Sequence, residues 1–209
     1  MAPTFIDSFL YEFVTLFVIL DPVATVPLFI MATAGLSRRD ALVVAVYALA
    51  IAFAVLVFFI VAGQLLLSAL HIPVASFQLA GSLVLLLFGL KMVLGKVTEE
   101  VAAMPPTATL LERAVYPLAI PGIAGAGAIL TVVLLTDYKV RSLGEQATTT
   151  LILVLCLVGF FALYAGAGLI SRVLGRSGIE IVSRVFGLIL ASIAVHNMVI
   201  AIKISFGIA

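Results

Sequence analysis

Asp21, Pro22, Thr25 and Pro27 fall within one short stretch, LDPVATVPLF, that is otherwise apolar. A charged carboxylate at the centre of a membrane helix costs roughly 2.5–3.5 kcal/mol, so Asp21 has to face protein or water. Pro22 cannot donate to the carbonyl of Val18, nor Pro27 to that of Val23. A carboxylate, a hydroxyl and freed carbonyls together suit reversible binding of an ammonium group or a cation, or the carriage of a proton. Asp21 also suits the cap of a helix that begins at Pro22. The second half of the chain holds a related stretch, YPLAIPGIAGAG. There Pro117 and Pro121 free the carbonyls of Arg113 and Pro117, and Gly122, Gly125 and Gly127 let a backbone or ligand approach closely. Thr131 lies just beyond. A third polar group, His196 with Asn197, interrupts the last apolar block. Such a pair serves either as interhelical glue or as a cavity-lining proton or substrate contact.

These residues need helices to position them. Apolar blocks near 5–33, 41–69, 75–95, 114–135, 147–171 and 181–206 are each about long enough to cross the hydrocarbon core. Backbone satisfaction in lipid then requires helices, since no alternating strand pattern is present. The two proline-containing stretches sit in the first and fourth blocks, so those two spans are expected to be interrupted. Gln64, Gln78 and Ser82 read as weaker polar contacts between helices, and Lys91 and Lys203 as side chains snorkelling from span ends. Cys156 lies in an apolar run and reads as packing. The Pro105–Pro106 stretch reads as a linker or surface loop.

Composition excludes most other classes. Of the 209 residues, 65% are hydrophobic and 10% charged, and the mean hydropathy of +1.38 marks a polytopic membrane protein. A net charge of +1 argues against a nucleic-acid partner. A single cysteine excludes an internal disulfide. No second intramembrane Asp stands by to form an acid dyad, and no Cys/His spacing or phosphate loop points to a metal or cofactor. The chain therefore reads as no enzyme. The N-terminal MAPTFIDSFLYEF lacks a basic region and carries Asp7 and Glu12, so the first span is expected to remain in the mature protein.

Lys and Arg counting gives an orientation. Arg38, Arg39, Lys91, Lys96, Arg113, Arg172, Arg176 and Arg184 fall on one side, and Lys139, Arg141 and Lys203 on the other. The richer side is expected in the cytoplasm, which puts both termini outside. The halves also resemble each other. DPVATVPLF aligns with IPGIAGAGA, Pro22 on Pro121, and AGSLVLLLFGLKM aligns with FGLILASIAVHNM, Gly81 on Gly187. Three spans per half is an odd number, so the repeats must insert in opposite senses. The expected fold is a single all-α membrane domain of six helices. Repeat one covers about 5–95, a connecting loop about 96–113, and repeat two about 114–206.

The stretches FVTLFVILDPVATVPLFI, LAGSLVLLLFGLKMVLG, AVYPLAIPGIAGAGAILTVV and FGLILASIAVHNMV resemble the MarC family of small prokaryotic inner-membrane proteins. The resemblance covers nearly the whole chain in the right order. It implies six helices and transport of small neutral amino acids or related metabolites across the inner membrane. In the family's first motif a Gly-Asn pair stands where this chain has Ala24 and Thr25, and in the second a Pro stands where it has Ala126. Asp21, Pro22, Pro27, Gly125 and Gly127 match. The leading expectation is a secondary transporter whose site lies between the repeats and whose coupling ion is H+ or Na+. An oligomer is compatible with this. A non-transporting assembly or regulatory protein, or a narrow uncoupled channel, is the alternative.

Overall fold

A computed structural model of the chain describes residues 5–103, 105, 107–136 and 142–208, all of them in helices and connecting turns with no strand among them. Helix α1 (Phe5–Leu20) is followed at once by α2 (Pro22–Ala32). Then come α3 (Arg38–Ala69), α4 (Val74–Val93) and a short α5 (Lys96–Ala102). A broken segment α6 (Leu110–Ile123) leads into α7 (Ala126–Leu135), and α8 (Gly144–Gly175) and α9 (Ser177–Phe206) close the chain. α3, α4, α8 and α9 are each long and apolar enough to cross a bilayer. The α1–α2 and α6–α7 pairs pass the same test as bent spans, which makes four to six spans in all. Lys139, Arg141 and Pro106 lie outside the described residues.

Helix starts carry their own signals. Ser37 caps α3 by accepting from the Asp40 N–H. Thr109 with Glu112, and Ser142 with Glu145, form reciprocal capping boxes that satisfy orphan N–H donors at the starts of α6 and α8. α8 and α9 meet at Gly175, whose φ of +62 breaks the helical run.

Apolar lipid removes the hydrophobic drive between helices, so close packing and interhelical hydrogen bonds must hold them. α3 accordingly buries a stripe of small and branched residues, among them Ala45, Ala48, Ala52, Leu56 and Ile60, at helical spacing. α4 and α9 cross at Gly89 and Gly187. A Cβ at Gly89 would come 2.8 Å from the Gly187 carbonyl, so this contact requires glycine. Gln64 Nε2 donates to the Val133 carbonyl (3.4 Å), fastening α3 to α7. Cys156 is fully buried in the core. Ser82 is different from its expected role, because its hydroxyl bonds the Gln78 carbonyl of its own helix.

One expectation is corrected here. Pro27 does not open the backbone a second time, since α2 runs through it without a break. The helix tolerates one missing hydrogen bond because Val26, Leu28 and Phe29 are buried around it. α1 packs on α7, and α2 packs on α6, so the two bent spans lie against each other.

Candidate functional site

The first break is a single residue. Asp21 has φ +47, its N–H donates to the Phe17 carbonyl (3.2 Å), and α2 begins at the next residue. Left-handed backbone costs an L-residue about 1–2 kcal/mol, and Asp is among the few non-glycine types that tolerate it. Pro22 is then pre-set for the first helical position. The two axes meet at 47°. The last carbonyls of α1 and the first N–H groups of α2 are left without helical partners at one place.

The second break is made by backbone. Tyr116 (φ −121, ψ 132) and Ile120 (φ −132, ψ 121) are extended, as the residue before a proline prefers, and both following X–Pro bonds are cis. The chain closes up through an Ala124 N–H to Ala119 carbonyl bond of 2.8 Å. Gly125 is the extended residue before α7, and the bend is 55°. A Cβ on Gly125 would sit 2.5 Å from the Pro121 carbonyl oxygen, and one on Gly122 would sit 2.8 Å from that of Pro117. Glycine is therefore required by close approach of the backbone to itself.

The two breaks enclose one cavity of about 340 Å³. Asp21, Thr25, Pro121, Gly122, Gly125, Gly127, Thr131 and Asn197 all line it. Leu28, Phe88 and Ile193 supply apolar wall. Three of the sequence candidates lie elsewhere. Pro22 and Pro27 are buried in the packing and do not reach the cavity. His196 is exposed on the outside of α9, because successive residues on a helix point about 100° apart and Asn197 takes the inward face.

The polar groups are partly committed to the protein. The Thr25 hydroxyl donates to the Pro22 carbonyl (2.8 Å), and that of Thr131 to the Gly127 carbonyl (2.8 Å). Both oxygens keep acceptor capacity. Gln78, read from sequence only as an interhelical contact, is that and more. Its Nε2 donates to the Asn197 carbonyl (3.3 Å), and it lines the cavity. Behind Thr25 the Tyr164 hydroxyl is fully buried, with no hydrogen bond of normal geometry among the described residues.

Sequence reasoning missed another buried carboxylate. Glu12 is only 4% exposed and accepts a hydrogen bond of 2.9 Å from Thr149, which is itself fully buried. This pair ties α1 to α8. The available signal was an acidic residue inside the first apolar block, the same signal that marked Asp21.

The family model described as "MarC family integral membrane protein" matches residues 6–206. The chain is 33% identical over 198 residues to a UPF0056 membrane protein of Aquifex aeolicus, covering 93% of this chain and 92% of that one. It is 34% identical over 203 residues to a UPF0056 membrane protein of Pyrococcus horikoshii, covering 97% and 98%. A UPF0056 inner membrane protein of Escherichia coli, YhgN, is 27% identical over 190 residues, covering 91% and 93%. No solved structure matches the chain.

Proposed function

Because this chain belongs to the MarC family of integral membrane proteins, we propose that it is a secondary transporter of a small neutral amino acid or a related small metabolite. One observation carries the reading: two broken spans meet at a single cavity that contains the buried-span carboxylate Asp21. Interrupted helices facing each other are how transporters build a binding site within the bilayer. A volume of about 340 Å³ lies at the low end of the ~300–1,000 Å³ usual for ligand pockets, which favours a small solute.

The chemistry of the walls favours a zwitterion. The N-termini of α2 and α7 offer unpaired N–H groups and positive dipole ends, which suit a carboxylate. Asp21 and the C-terminal carbonyls of α1 suit an ammonium group or a coupling cation, H+ or Na+. Apolar contacts from Leu28, Phe88 and Ile193 leave room for a short neutral side chain. The packing is compatible with an inverted repeat: α1 on α7 is exchanged with α6 on α2 when the halves are swapped. Six spans with both termini on the outer side complete the proposal, supported by the basic-residue bias.

The test is flux in liposomes. Purified protein should accumulate a small neutral amino acid from a panel when an ion gradient is applied. Asp21→Asn, which keeps the shape but removes the charge, should cut the rate by roughly tenfold or more. Downhill flux alone would turn the reading to a channel. No flux across the panel would turn it to a non-transporting role.

A further inference from the structure

A second cavity, of about 620 Å³, opens where α2 ends, α3 begins and α8 finishes, and it shares no lining residue with the central one. Its inner end is closed by Phe29 stacked on Tyr164, with ring centroids 4.2 Å apart and planes 3° from parallel. Arg38, at the first position of α3, and Arg172, in the last turn of α8, both line it. Neither makes an ion pair among the described residues. Two basic side chains elsewhere are neutralised: Lys91 at the end of α4 by Glu100 at 2.8 Å, and Arg184 within α9 by Glu180 at 3.1 Å.

The wall one turn before Arg172 on the same helix is bare. Cβ atoms built on Gly166 and Gly168 would meet nothing within 4 Å, so open space lies against that stretch of α8. The concavity thus combines two unneutralised guanidinium groups with low-dielectric walls, which concentrates positive potential. The N-terminus of a 32-residue helix adds to the same sign, offset in part by Asp40 in its first turn. Guanidinium groups match tetrahedral oxyanions in a two-pronged geometry that an ammonium cannot reproduce.

We infer that this cavity binds a phosphate group between Arg38 and Arg172. The phosphate belongs either to an anionic lipid headgroup, whose acyl chains would lie along the apolar rim, or to a soluble phosphate compound. The site is separate from the central cavity, and the inference does not rest on the transport reading.

The test titrates the full chain in detergent with phosphatidylglycerol, with phosphatidylcholine and with inorganic phosphate, and reads retained ligand by native mass spectrometry and the thermal midpoint. Phosphatidylglycerol retained well above phosphatidylcholine identifies a lipid headgroup. Stabilisation by inorganic phosphate without lipid retention identifies a soluble ligand. In either case Arg38→Gln with Arg172→Gln should weaken binding roughly tenfold or more. Arg39→Gln, adjacent in sequence but off the cavity wall, should leave it unchanged. Both arginines are exposed, so the double variant is expected to fold, and its unliganded thermal midpoint checks this. Absence of binding by either probe, or equal losses in Arg39→Gln and the double variant, would overturn the inference.

Discussion

The two bent helix pairs, α1–α2 and α6–α7, are broken by different means. One uses a charged residue in left-handed conformation, and the other uses prolines and glycines with no charged residue from Ala114 to Leu135. The bends are similar, 47° and 55°. Their supports differ as well. α1 is tied down by the buried Glu12–Thr149 bond, whereas Tyr116 beside the second break donates to Glu100, an exposed residue of α5 that also pairs with Lys91. A helix can therefore be opened by backbone alone. A carboxylate is not a general requirement for such a break.

The largest effect should come from the second break. Gly125→Ala places a methyl 2.5 Å from a backbone carbonyl that has no room to retreat. A loss of about 3 kcal/mol, the upper end for overpacking, is expected in thermal or denaturant unfolding in detergent. Gly127→Ala meets only ordinary contacts, at 3.8 Å from Ile19 and 3.9 Å from Leu85, and should stay within about 0.5 kcal/mol. Equal losses in the two would mean that close backbone approach does not hold this break.

Next comes the tether of the first span. Thr149→Val keeps the shape and removes the donor to Glu12, leaving a buried carboxylate short of a hydrogen bond. It should cost about 1–2 kcal/mol. An unchanged midpoint would show that the Thr149 hydrogen bond is not what holds α1.

At Asp21 stability and function should separate. Asp21→Gly relieves the left-handed strain but also removes the interaction the side chain makes, so its stability should stay within about 1 kcal/mol of the parent. Asp21→Ala keeps the strain and should be about 1 kcal/mol less stable than Asp21→Gly. Both should lose transport. Retained flux in the more stable Asp21→Gly would make the first break, like the second, a matter of backbone only.

How much of this was legible in the sequence depended on contrast. Asp21 stood out because a charge in an apolar block is costly, and the Pro and Gly residues of the second break because they deny a helix its ladder. The span boundaries followed from the same apolar blocks. Faces were harder to read. In lipid the outside of a helix is as apolar as its core, so periodicity gives little guidance. His196 and Asn197 looked equivalent, yet only Asn197 reaches the cavity. Pro27 looked like a breaker, and packing around it kept α2 whole. Glu12 reads only as part of an N-terminus without a basic region, because its partner Thr149 lies far away in the chain. Arg38 and Arg172 share a cavity only because the start of α3 lies beside the end of α8, which no local pattern encodes.

The smallest effect should come from the exposed support of the second break. A hydrogen bond from Lys91, then one from the Tyr116 hydroxyl, hold the Glu100 carboxyl below the usual carboxylate range. A group with a depressed folded-state pKa contributes stability that is present above its unfolded value and is lost as pH falls through the folded one. The contribution should therefore be intact at neutral pH and fade only below about pH 4.5, the ordinary value for this side chain. Exposed pairs are worth about 0.2–1 kcal/mol, so the change in thermal midpoint should be slight. Glu100→Gln should show the same small loss at neutral pH and should flatten this part of the acid limb. The first break offers the contrast: its Glu12–Thr149 support is buried, and Thr149→Val should cost more than Glu100→Gln under the same conditions. A reversed order would place the firmer tether on the exposed side and remove the distinction drawn between the two breaks.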